Sequence, residues 1–315
     1  MSEETIKLFD LGCLVNLKIG YWSARKMVSR ADLISVKLDP DALPKDLVNY
    51  GRKLLVSKNE IQTISKVEQR ARSYLAKYSA PFEAANCFFV PNKMIADLEH
   101  NLKCFKKDFF DVVDSFIVRF AELKEEVKKQ HPEFFEKCLR QFYPHTAESL
   151  RSKFYFEWHM FTISNINSMQ QTSSEEIEFK REKLQQEANN FAEQYIKTMR
   201  KEVVDFCTLM ECRVNGKPFG EENEAKQLTG RSLSFFRKYI SKFRNMNIFG
   251  DNEIEKMLTE FQNQYLDLGT TSKSFDSAAM KTAVSLSLSS IRKQASLEEG
   301  EGSQFINSLK RRVIL

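Results

Sequence analysis

The stretch Lys93–Gln130, KMIADLEHNLKCFKKDFFDVVDSFIVRFAELKEEVKKQ, decides how the rest of the chain is read. Its apolar positions Leu98, Leu102, Phe105, Phe109, Val112, Phe116, Phe120, Leu123 and Val127 advance by three or four residues throughout. That spacing keeps one face of an α-helix apolar, and it predicts one helix of about 37 residues, some 55 Å long at a rise of about 1.5 Å per residue. His131-Pro132 ends the run, since proline removes an amide donor and clashes with the preceding turn. A second run begins at Ser173 or Ser174 and carries Ile177, Leu184, Ala188, Phe191, Tyr195, Met199, Val203, Phe206 and Met210 at the same spacing. Glu175, Glu176 and Glu178 suit its positive end, and Asn215-Gly216-Lys217-Pro218 closes it.

Shorter elements surround these two. Ser57 and Glu60 make a possible capping box for a helix carrying Ile61, Ile64, Val67, Ala71 and Leu75. A helix is expected near 147–163, and further amphipathic helices at Leu233–Phe243 and Ile254–Leu266. At the N-terminal end, Val15, Leu17, Ile19 and Tyr21 alternate with polar residues or glycine, the period of a half-buried strand. Its nearest partner by sequence is Leu33–Leu38, followed by a loop at Pro40 and Pro44. The fold class read from this pattern is mainly α: an elongated antiparallel helical bundle with two long helices and a small N-terminal β-hairpin. The expected segments are 1–56 (strand and loop), 57–269 (bundle) and 270–315 (a Ser-rich helix, a linker at 294–303 and a flexible tail).

Composition agrees with this reading. The 315 residues include 26 Phe but only 10 Gly and 7 Pro, too few turn residues for a many-stranded sandwich or barrel. No run approaches the roughly 18 apolar residues of a membrane span, and the acidic start Ser2-Glu3-Glu4 does not read as a signal peptide. The six cysteines lack C-x-x-C spacing and read as free thiols of a reducing cytoplasm, with Cys104 and Cys138 as small apolar residues. The formal net charge of +5 is spread over both halves, so neither half is a basic nucleic-acid module.

Chemistry-bearing motifs are sparse. Gly216-Lys217-Pro218 lacks the rest of a phosphate-binding loop, and no G-x-G-x-x-G or G-x-S-x-G occurs. His100, His131, His145 and His159 have no metal-ligand spacing. Asp108, Asp111 and Asp114 recur every third residue beside Lys106, Lys107 and Arg119, which reads as a solvated, salt-bridged helix face. No catalytic residue, metal or cofactor is assigned. A nucleic-acid reading rests on the basic-aromatic helix 231–244 with Arg231, Arg237, Lys238, Lys242 and Arg244. A pore-forming reading rests on the long amphipathic helices, against which Arg119 interrupts the most apolar stretch.

Soft motifs point to a family. They are Tyr21-Trp22-Ser23-Ala24-Arg25-Lys26, Leu43-Pro44 leading to Tyr50–Val56, the Ser79–Pro91 loop, and the long helix through His131-Pro132-Glu133-Phe134. Phe243-Arg244-Asn245-Met246-Asn247 with Gly250-Asp251-Asn252-Glu253 adds to them. In these the chain resembles the phage and bacterial proteins grouped as domain of unknown function 3150. It departs from them at Ala24, where usual members carry Gly, and at Ala84-Ala85-Asn86-Cys87, where members are often glycine-rich. Members are commonly encoded near a MoxR-type AAA+ ATPase and a von Willebrand A-like protein. The resemblance therefore implies a cytoplasmic, non-enzymatic interaction or adaptor protein with those two partners, in a bacterial or phage-infected cell. Trp22, Arg25, Lys26, Phe82, Phe88 and Phe89 are the expected contact residues, combining aromatic and basic groups outside the long stripes.

Overall fold

A computed structural model describes residues 6–35, 51–163, 174–220, 224, 226–266, 270–296 and 301–314. Pro40, Pro44 and residues 297–300 of the expected linker lie outside them. The chain is mainly helical, and it divides into two compact units. One holds residues 1–15, 78–95 and 160–315, the other residues 16–77 and 96–159. Each expected segment contributes to one or both units, and the first segment is split between them. Elements are numbered in chain order.

The first unit is built on α7 (Ser174–Asn215). Its buried positions are not one stripe but a broad surface: Phe191, Tyr195, Met199, Val203, Phe206 and Met210 on the expected face, with Ala192, Ile196 and Cys207 beside it. The extra width follows from its neighbours. α8 (Gly230–Met246), α10 (Ala278–Ala295) and α11 (Glu301–Arg312) all pack on α7, and α9 (Asn252–Tyr265) packs on α8 and α10. Thr229 caps α8 with Ser232 in a reciprocal box, and Ser277 caps α10 through Met280 N. The same unit contains β1 (Ile6–Lys7), α1 (Leu8–Leu11), the first half of β2 (Gly12–Gly20), β5 (Ala80–Phe82) and β6 (Cys87–Pro91).

Three expectations are corrected in this fold. The partner of β2 is not Leu33–Leu38 but β6, antiparallel with Gly12 opposite Pro91 and Val15 opposite Phe88. The Phe-rich loop before Pro91 is therefore a strand, and its continuous apolar run, with four of its five residues buried, is the mark of a covered strand rather than a loop. Residues 301–314 are not a flexible tail: Ile306 and Leu309 of α11 are buried, and β8 (Val313–Ile314) pairs in parallel with β1. Third, the helix expected near 147–163 is only α6 (Ala147–Arg151), followed by strand β7 (Tyr155–Phe161).

β7 shows why that expectation failed. Phe156 is 1% exposed while its neighbours Tyr155 and Glu157 face solvent, so the aromatic residues here alternate with period two. In the second unit β7 neighbours β2 in the sheet, and the Phe156 ring lies 5.8 Å from that of Phe109 on α4 (Asn92–Gln130). Along α4, Val113 rather than Val112 is fully buried, with Leu98, Leu102, Phe109, Phe116 and Leu123 as expected. α3 (Lys58–Lys77) runs antiparallel to α4: Glu60 pairs with Arg119, Arg70 with Asp108, and the Tyr74 ring lies 5.7 Å from that of Phe105, tilted by 59°. All five expected apolar positions of α3 are buried. Asp111 and Asp114 are paired with Lys107 and Arg151, so the row of carboxylates is a salt-bridged face. Arg72 adds a bond from its Nη2 to the Ile19 carbonyl of β2.

Glycine is required at one crossing. A Cβ on Gly12 would sit 2.3 Å from the Val90 carbonyl oxygen and 2.6 Å from the Phe89 ring. Gly12→Ala is expected to cost about 2 kcal/mol, because the clash falls on backbone that cannot move without breaking the β2–β6 ladder. Urea unfolding followed by circular dichroism checks this, and a loss under about 0.5 kcal/mol, the range of ordinary surface changes, would refute it. Of the cysteines, Cys138 is buried as expected, but Cys104 is exposed.

Candidate interaction surface

The residues singled out at Trp22–Lys26 lead into a two-stranded ribbon in the second unit. β3 (Arg25–Met27) pairs antiparallel with β4 (Arg52–Leu54), placing Lys26 opposite Lys53. Two further bonds close its ends, Val28 N to the Gly51 carbonyl and Leu55 N to the Ala24 carbonyl. Ala24 has a φ of 52°, a left-handed conformation that costs an L-residue about 1–2 kcal/mol. A glycine would hold this conformation without that cost. Asn86, with a φ of 49°, likewise takes the left-handed position after the Glu83–Ala85 turn, which asparagine tolerates.

Behind the ribbon lies a buried ion pair. Asp32 sits in the first turn of α2 (Arg30–Ser35), where its Oδ2 accepts bonds from Ser29 N at 2.6 Å and Ser29 Oγ at 2.8 Å. Ser29 Oγ in turn accepts from Asp32 N at 3.3 Å. This is a capping box, and Ser29-Arg30-Ala31-Asp32 is its sequence signature. The other carboxylate oxygen accepts from Lys53 Nζ at 2.6 Å, and both side chains are nearly inaccessible. Burial pushes the Asp32 carboxyl up, but the Lys53 and Ser29 bonds and the Lys53 charge outweigh it and hold it below its ordinary value of 3.8. Lys53 Nζ also lies 4.4 Å from the centroid of the Phe142 ring, and Lys26 Nζ lies 5.6 Å from the same ring. Tyr143 donates to the Leu55 carbonyl, and burial pushes its hydroxyl up to about 12. These contacts fix β4 from behind.

The ribbon's outer surface is different in character. Arg25, Met27, Arg52 and Leu54 alternate away from Lys26 and Lys53, and all four are exposed, Met27 at 55% and Leu54 at 42%. Large apolar side chains held in solvent among cations form a mixed basic-apolar patch on a rigid base.

The other expected contact residues divide between the units. Trp22 is 8% exposed and packs between Phe116 and Phe120 in the second unit. In the first unit Phe82 and Phe89 are interior, both against Phe191, and Phe88 is half-buried. The structure therefore does not bring the six together: Arg25 and Lys26 reach solvent in one unit, and part of Phe88 does in the other. On α8, Arg231 and Lys238 are exposed, while the other three cations bind protein groups. Arg237 Nε donates to the Leu266 carbonyl, Lys242 to Glu202 at 2.7 Å, and Arg244 to Thr259 and Gln262 at 3.1 Å.

Sequence reading missed two elements of this chemistry. Asp32 was legible through its capping box, but Lys53, 21 residues away, carries no local signal. The first unit has a comparable buried pair, Arg200 with Asp251. Arg200 is marked only by its place inside the apolar spacing of α7, between Met199 and Val203. Among the described residues no three His, Cys, Asp or Glu side chains are grouped to hold a metal ion, and no helix is long and apolar enough to cross a membrane.

These features define a mainly helical protein with buried ion pairs that brace its elements and an exposed basic-apolar ribbon. The chain belongs to the family described as protein of unknown function (DUF3150), whose pattern it matches over residues 10–287. No curated protein and no solved structure matches it.

Proposed function

We propose that this chain is a non-enzymatic helical interaction protein, an adaptor working in the cytoplasm with a MoxR-type AAA+ ATPase and a von Willebrand A-like protein. The observation that carries the reading is the β3–β4 ribbon. On its outer face two exposed cations, Arg25 and Arg52, lie across the ladder from two exposed apolar side chains, Leu54 and Met27, and the buried Lys53–Asp32 pair holds the strand beneath them. Arginine and methionine are enriched at protein interfaces, and an acidic-apolar partner surface complements this patch. The partners proposed are those that the family resemblance implies.

Affinity purification of the chain from its native host tests the proposal. The ATPase or the A-domain protein is expected to co-purify, and Arg25→Glu with Arg52→Glu is expected to abolish recovery. Both side chains are exposed, so stability should change by no more than about 0.5 kcal/mol. Recovery of neither partner, or equal recovery by the charge-reversed variant, would sink the proposal.

A further inference from the structure

In the first unit, a cleft of about 180 Å³ opens between the turn Pro81–Ala84 and the outer face of α7. Phe82 and Phe191 close its floor, their rings 5.2 Å apart and tilted by 55°. Its walls carry two carboxylates, Glu83 from the turn and Glu187 from the helix, and two amides, Asn190 and Gln194. Glu187, Asn190 and Gln194 follow at helical spacing on one side of α7, so all three reach the same space. Neither carboxylate makes an ion pair or side-chain hydrogen bond among the described residues. This contrasts with Glu60, Glu68, Glu133, Glu136, Glu193 and Glu211, all of which are paired.

The contents of such a cleft follow from its size and lining. Pockets for cofactors and drug-sized ligands run from about 300 to 1,000 Å³, whereas about 150 Å³ accepts a single benzene-sized ring. One flat group fits here. The aromatic floor favours a cation, and the walls offer two negatively charged carboxylate acceptors together with amides that can accept through their oxygens. A guanidinium meets each requirement: it is planar, weakly hydrated, permanently charged and presents N–H donors in a fork matched to carboxylates. A lysine ammonium has the charge but not the plane. We infer that the cleft binds an arginine side chain of a partner polypeptide. This site belongs to the first unit and the β3–β4 ribbon to the second, so it does not depend on which partners the ribbon engages.

The full chain with an acetylated, amidated Ala-Ala-Arg-Ala-Ala peptide provides the test, read by saturation-transfer NMR titration of the peptide signals. Transfer to the arginine methylenes is expected. The citrulline peptide, with the same shape and no charge, should bind about tenfold more weakly. Glu83→Gln with Glu187→Gln should weaken the arginine peptide by a similar factor of about ten. Neither glutamate has a side-chain partner among the described residues, so circular dichroism should remain that of the parent. Gln194→Arg, which places a guanidinium on the cleft's own wall, should abolish binding by occupying the cleft. Equal binding of the arginine and citrulline peptides, or unchanged binding by both variants, would overturn the inference.

Discussion

Replacing Arg200 by alanine is expected to cost the first unit about 3–5 kcal/mol, the largest loss among single substitutions considered for this chain. Arg200 is 2% exposed and Asp251 4%, yet the guanidinium is fully engaged. Its Nε donates to Asp251 Oδ2 at 2.8 Å, Nη2 to Oδ1 at 3.2 Å, and Nη1 to the Gln294 carbonyl at 3.0 Å. The Phe305 ring lies 5.6 Å from the guanidinium carbon. One side chain thus ties α7 to the start of α9, the end of α10 and α11. Asp251 is itself held: Asn247 Oδ1 accepts from its amide at 2.8 Å, and Asn247 Nδ2 donates to its carbonyl at 3.2 Å. Removing the arginine leaves a buried carboxylate with no cation, which is why the cost exceeds that of the lost contacts. The double replacement Arg200→Met with Asp251→Leu removes both charges at similar volume and should recover most of the loss, to within about 1 kcal/mol of the parent. Urea unfolding must be followed by far-ultraviolet circular dichroism, because Trp22 and Trp158 both lie in the other unit. A single-variant loss below about 1 kcal/mol would contradict the argument.

The second large effect concerns Lys53. Lys53→Met keeps an apolar stem against Phe142 but leaves Asp32 buried without its cation, at an expected cost of about 3 kcal/mol near neutral pH. The acid dependence separates this from simple loss of packing. The folded carboxyl of Asp32 lies below its ordinary 3.8, so its stabilising contribution is complete above that value and is lost as pH falls below it. The parent should therefore lose stability as pH falls below the ordinary carboxyl value. Asp32→Asn, which removes the titrating group, should show a shallower dependence there. Tryptophan fluorescence during urea unfolding reads this unit. Parallel pH profiles for the parent and Asp32→Asn would refute the assignment.

Residue spacing alone made the long helices legible. α4 and α7 begin and end within a residue or two of their expected bounds, because a three-four stripe over nearly forty residues leaves no other reading. The sheet was harder for a physical reason. β6 is apolar at nearly every position and β7 is short and aromatic, and neither shows which strand it joins. Partnership between Gly12 and Pro91 is decided by long-range packing, with the missing Cβ of Gly12 as its only local trace. Of the candidate surface, Arg25 was visible as a cation beside an apolar strand, whereas Met27, Arg52 and Leu54 became part of it only through the β3–β4 pairing. Trp22, Phe82 and Phe89 illustrate the converse, since an aromatic outside a stripe is usually core. The buried pairs were not legible as pairs: 21 residues separate Asp32 from Lys53 and 51 separate Arg200 from Asp251.

The pairing of β1 with β8 has a consequence for how the chain matures on the ribosome. Ile6 is made about three hundred residues before its ladder partner Val313. At roughly 5–20 residues per second, the first strand waits about 15–60 s for its partner. During that interval, the second unit, whose last residue is His159, can complete itself. Leu8, Leu14 and Val15, all fully buried in the finished protein, meanwhile lack the α7 and C-terminal parts of their own unit. The order of synthesis therefore leaves the Ile6–Val15 segment without its partners for that interval, open to chaperone capture or premature association.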